Sequence, residues 1–101
     1  MNSPLTPVIH INGTPGKTLV DGWTAIRDAL DEALLKTRQL EFNARDYYVR
    51  GGDGFEMANK IFQDRVAELH AFRDDVAEVI DDLERVMEER EARKAGRWAT
   101  A

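Results

Sequence analysis

The chain predicts an all-α protein: an antiparallel helical hairpin with one long helix, self-associating into a coiled-coil-like bundle. Three observations predict it. From Phe55 the apolar residues Phe55, Ala58, Phe62, Leu69, Phe72, Val76, Val79, Leu83 and Val86 recur alternately three and four apart, the a/d seam of a helix packed lengthwise on another. The same rhythm runs earlier through Leu19, Trp23, Ile26, Leu30, Ala33 and Leu40. Between them the segment 41–54 follows neither pattern, so it reads as the connector.

Residues 1–17 are expected to be irregular. Pro4 and Pro7 lie there, and Val8-Ile9-His10-Ile11 is an apolar, β-branched run that suits one short strand. Asn12-Gly13-Thr14-Pro15-Gly16 is a dense turn signal. Thr18 can cap the first helix, with Asp21 in the capping-box position. That helix runs to about Leu40 and carries Gly22, which costs about 1 kcal/mol relative to alanine and is expected where something packs close. Asp53 can cap the second helix, with Glu56 three residues on. The hairpin domain thus spans 18–95, and 96–101 forms a flexible tail in which Trp98 can dock.

Length carries a further expectation. A second helix of about 40 residues is about 60 Å long, whereas the first, at about 22 residues, covers about 33 Å. Val76, Val79, Leu83 and Val86, flanked by Ile80 and Met87, would then lie beyond its reach. Bare apolar seam is unfavourable by about 25 cal/mol per Å². A second copy of the chain is the expected cover.

Composition narrows the function classes. The 101 residues carry 14 Lys and Arg against 19 Asp and Glu, a net charge of −5. That balance opposes direct DNA binding, which needs clustered basic residues. There is no cysteine, so disulfides and cysteine zinc sites are excluded. No segment suits a membrane span, and MNSPLTPVIH lacks the basic and apolar regions of a signal peptide. A cytoplasmic protein is expected.

Most motifs have plain readings. Gly16-Lys17-Thr18 resembles the end of a phosphate-binding P-loop, but Ile11 stands where the first glycine belongs. Lys17 and the amides opening the first helix can still attract an anion. Asn12-Gly13-Thr14 is a glycosylation sequon that a turn explains as well. Asp28, Glu32, Asp74 and Glu78 have the spacing of a magnesium site of an all-α nucleotide hydrolase, yet all four fall at f and c, away from the seam. His70, at b, is expected to be exposed. Arg65 occupies a seam position, where a buried guanidinium must meet an acid across the seam or hold a ligand phosphate. The acids from Asp74 to Glu91, including Asp82, form a negative face that can be a solvated surface, a nucleic-acid decoy or a docking face for a basic partner.

The connector holds the strongest candidate chemistry. Arg45, Tyr47, Tyr48 and Arg50 place two aromatics and two guanidinium groups beside Gly51 and Gly52. Tyr and Arg faces stack on bases, and Arg forks bind phosphate. The alternative is a loop whose tyrosines cover the open end of the hairpin. In an oligomer the N-terminal segment of one chain can meet the connector of another, so Asn12, Thr14 and Lys17 join the candidate ligand-binding set with Arg65.

The pairing of His10-Ile11-Asn12-Gly13-Thr14 with Arg45-Asp46-Tyr47-Tyr48, flanking the first helix, resembles small uncharacterised helical proteins of bacteriophage genomes. The likeness covers roughly residues 8–87. It implies a phage accessory protein in the host cytoplasm. Such proteins often blunt host immunity, and one group of small helical oligomers sequesters the cyclic nucleotide signals of CBASS or Thoeris defence. No site is carried over from any of them. With no nucleophile–base pair, metal cluster or cofactor loop in the chain, a non-enzymatic protein without cofactor is expected. Its expected partners are itself and a small nucleotide-type anion. The alternative is an acidic module that inhibits a basic host defence or DNA-binding protein.

Overall fold

The computed structural model describes residues 2–48 and 51–100, with side chains described through residue 96. The chain is a helical hairpin: α1 spans Gly16–Gln39 and α2 spans Gly54–Thr100, joined by a connector with a 3₁₀ turn at Ala44–Asp46. The molecule measures 77 × 22 × 22 Å, with a radius of gyration of 21.2 Å. A compact domain of this length would have a radius near 13 Å, so the rod has little interior.

α1 starts three residues earlier than the Thr18 cap implies. Pro15 occupies the N-cap position, and its carbonyl accepts the first helical bond from the Leu19 amide at 3.1 Å. Proline fixes the backbone at the entry but carries no side-chain acceptor, so the first amides of α1 have no side-chain cap. Asp21 instead pairs with Lys17 at 3.0 Å. No strand occurs among the described residues: Val8-Ile9-His10 has no regular structure, and Ile11 enters a turn closed by the Gly13 amide on the His10 carbonyl. A lone apolar run without a partner strand has no ladder to join. α2 does begin after Asp53, whose carbonyl accepts from the Met57 amide at 3.0 Å. It continues to Thr100, so the tail expected from 96 onward is helical through that residue. The side chain of Trp98 lies outside the described residues.

The register of the hairpin follows from two contacts. Arg73 Nε bonds Asp31 Oδ1 at 2.7 Å across the helices. At the far end a Cβ placed on Gly16 would come within 3.1 Å of Met87 Sδ and of Ile9 Cδ1. α1 therefore lies against roughly residues 65–88 of α2. The first turns of α2 meet the connector instead, and the part beyond Met87 projects as a bare charged helix.

This register corrects the length argument. Val76, Val79 and Leu83 are fully buried within a single chain, and Val86 is half-buried. α1 covers one side of them. The N-terminal segment 2–9 lies along the later turns of α2 as a strap, bonded at Asp82, Arg85 and Arg90. Asp82, expected on the solvated acidic face, is 4% exposed and anchors it. Its carboxylate accepts from the Ser3 amide at 2.8 Å, the Thr6 hydroxyl at 2.6 Å and Arg85 at 2.9 Å. Arg85 also bonds Asn2, and Arg90 donates to the Ile9 carbonyl at 2.6 Å.

The helices face each other slightly off the a/d seam. The buried residue of α1 is Leu34, and Ile80 is buried in α2; both are e positions. The d edge is closed only where the strap lies. Beyond the strap, Ile26 and Leu40 on α1 and Phe72 on α2, all at d, are exposed. On the helices the uncovered apolar side chains run from the middle of the rod toward the connector, which the helix lengths alone would not suggest, while Leu5, Val8 and Ile11 of the N-terminal segment are exposed at the other end. Arg65 shares that open edge and is exposed, bonding Glu68 one turn on at 2.8 Å rather than an acid across the seam.

Candidate binding site

The connector end is built around one ring. Phe42, just past α1, stacks on Tyr47 with centroids 5.4 Å apart and on Phe62 at 5.1 Å, both near parallel at 21°. Phe55 tilts against Phe42 at 5.7 Å and Tyr47 at 6.2 Å. Such ring pairs add about 0.5–1.5 kcal/mol each beyond their burial. They hold a loop that is otherwise short of contacts. The 3₁₀ turn, closed by the Tyr47 amide on the Ala44 carbonyl at 3.0 Å, sets Tyr47 inward. Gly51 and Gly52 have φ of 71° and 54°, a left-handed pair that turns the chain into α2.

Beside this cluster lies an open groove of about 670 Å³. Phe42, Tyr47, Met57, Ala58, Ile61 and Phe62 supply its apolar walls, and Asp53 and Arg65 supply its charge. Its size is within the range of small-molecule sites, roughly 300–1,000 Å³. Of the connector candidates only Tyr47 lines it. Tyr48 and Arg45 are exposed nearby in sequence, and Arg50 lies outside the described residues.

Asn12, Thr14 and Lys17 are exposed at the opposite end of α1, about 36 Å away along its axis. A single chain therefore does not bring the two halves of the candidate set together. Lys17 forms an exposed pair with Asp21 one turn on.

The remaining candidates separate as well. Asp28, Glu32, Asp74 and Glu78 are all exposed, and no group of three or more potential metal ligands converges among the described residues. His70 is exposed, as its b position implies. Among the described residues no helix is long and apolar enough to cross a membrane.

Two carboxylates are electrostatically distinctive. The Thr6 hydroxyl, the Ser3 amide and Arg85 hold the Asp82 carboxyl below its ordinary value against its desolvation. Arg73 does the same for Asp31 through its hydrogen bond. Met57 and Ile61 lie off the a/d pattern, so seam reading passed over them as groove residues. Asp82 was one acid in a run of acids, and nothing in its spacing marked it. Comparison with protein-family models, curated proteins and solved structures finds no match.

Proposed function

We propose that this chain is a non-enzymatic accessory protein of the phage type that sequesters a small nucleotide-type anion in the cytoplasm of its host. The single observation that supports this reading most is the groove at the connector end. Stacked rings form its floor, a guanidinium stands at its rim, and its volume suits one small aromatic ligand. Tyr47 and the groove walls would take the base, and Arg65 an acidic group. Arg45 and Tyr48 would contribute from the exposed loop, and Arg50 through its place in the sequence. We further propose that the hairpin self-associates. The core supports this reading: among the described residues only Leu34, Val76, Val79, Ile80 and Leu83 are buried hydrophobics. A core that thin gives a lone small domain little stability.

The test is a panel of mono-, di- and cyclic nucleotides scored for thermal stabilisation. A ligand at 100 times its Kd stabilises the native state by about 2.7 kcal/mol, so a true ligand gives a clear melting shift. Tyr47→Ala with Arg65→Ala is expected to weaken binding about ten-fold or more, from the usual contribution of about 1–3 kcal/mol per stacked base. A flat panel would sink this reading.

A second reading has its own support. Asp74, Asp75, Glu78, Asp81, Glu84, Glu88 and Glu89 are exposed along α2, while Arg73, Arg85 and Arg90 beside them are engaged with Asp31, Asp82 and the Ile9 carbonyl. This face would suit a basic host protein, with association that weakens as salt rises.

A further inference from the structure

We infer that a second copy of this chain docks antiparallel along the open d edge, placing its His10–Gly13 turn in the connector groove. This rests on the self-association proposed above and gives it a geometry. The first observation is a pair of unsatisfied shapes. Ile11 is 98% exposed at the tip of the turn and Val8 is 79% exposed beside it, so the strap presents an apolar knob that its own chain does not cover. The groove of about 670 Å³ offers Met57 and Ile61, both more than half exposed, as its complement. Exposed apolar surface of this kind marks interaction sites. Within one chain the two cannot meet. The knob sits at the level of Met87, the groove centres on Ala58, and these are about 44 Å apart along a rigid helix.

The second observation is where the midpoint falls. Two copies related by a two-fold axis exchange knob and groove reciprocally only if the axis crosses α2 halfway between Met87 and Ala58. That is at residues 72–73. Phe72 stands there, on the same open edge and 45% exposed. Knob, central ring and groove thus form one self-complementary strip. A two-fold pairing fills both grooves at once, packs Phe72 against its symmetry mate and leaves nothing to propagate into a filament. An isoleucine side chain fills only part of the groove. The docked turn carries Asn12, Thr14 and Lys17 of the second copy to the rim that holds Tyr47 and Arg65. The candidate ligand set, split between the two ends of one chain, is then completed in the pair.

The chain has no cysteine, so single-cysteine variants report cleanly. Ile11→Cys and Ile61→Cys, prepared separately, mixed and mildly oxidised, are expected to yield mainly the mixed disulfide. Phe72→Cys is expected to cross-link to itself. Wild type should sediment at twice the 11.5 kDa chain mass. Ile11→Asp should return it to a monomer without loss of helix signal, because Ile11 touches little in its own fold. A wild type that sediments as a monomer up to high micromolar concentration, or an Ile11–Ile11 disulfide that outruns the mixed one, would overturn the docking. A wild-type dimer that an added basic protein dissolves, with no mixed disulfide, would overturn it in favour of that partner. The nucleotide panel reads separately. A cross-linked dimer with no melting shift upholds the docking and removes the ligand reading, and a shift in a strict monomer does the reverse.

Discussion

Asp82 shows how far one residue's role can depart from its neighbours'. It sits in a run of acids that are exposed, yet it is buried, because the strap brings an amide and a hydroxyl to one of its oxygens and Arg85, one turn on in α2, brings a guanidinium to the other. Those partners depress its pKa from 3.8. A depressed carboxyl binds fewer protons in the folded state than in the unfolded one. Its contribution to stability is therefore complete above about pH 3.8 and is lost as pH falls below that toward the folded value. Wild type should lose melting temperature over that acid range, and Asp82→Asn should be weaker above it but less sensitive to acid. Amide exchange at Ser3 checks the anchor directly, since it should quicken in the variant at neutral pH. Leu83 tests the core beneath. It is fully buried, so Leu83→Ala should cost about 2–5 kcal/mol in urea unfolding.

The elements divide by how they are supported. α1 is packed on one side only, and Gly22 within it has nothing within 4 Å of where a Cβ would stand. The close approach expected at that glycine is therefore absent from the hairpin. Gly22→Ala should raise stability by about 1 kcal/mol, measured by urea unfolding, since only the helix penalty of glycine is removed. α2 is held in its middle by α1 and the strap, whereas residues 88–96 are exposed throughout. Their amides should exchange fastest within α2 apart from its first turn, because few buried contacts oppose fraying there. The connector behaves differently from both. It is short of regular hydrogen bonds, and the Phe42 ring, stacked between Tyr47 and Phe62, is what orders it. Phe42→Ala should loosen the loop and open the groove with little effect on the Val76–Leu83 core, which lies about 20–30 Å further along α2.

At the scale of the whole molecule, shape and charge make opposite demands. A rod 77 Å long and 22 Å wide buries few side chains, which favours association. A net charge of −5 per chain opposes it. Added salt screens that repulsion, so a dimer of identical chains should strengthen, or at least persist, between low and moderate ionic strength. A complex with a basic protein should weaken over the same range. Sedimentation in a salt series therefore separates the two ways this surface can be used, with no variant required.

The periodicity of Phe55–Val86 and Leu19–Leu40 by itself determined the hairpin, because apolar residues three and four apart can be buried together only on one side of a helix. The turn residues between them determined where it folds back. What sequence alone could not settle was which edge of each helix is covered. That depends on the register, and the register depends on Phe42 and Tyr47 occupying the first turns of α2 so that α1 meets its later turns. It depends equally on the strap, whose anchoring through Asp82 joins residues nearly 80 positions apart. Local spacing carries no information about such a contact. For the same reason Tyr47 and Arg65 were recognisable as candidates while Met57 and Ile61 were not: a groove belongs to the surfaces that meet, and only tertiary structure decides which surfaces those are.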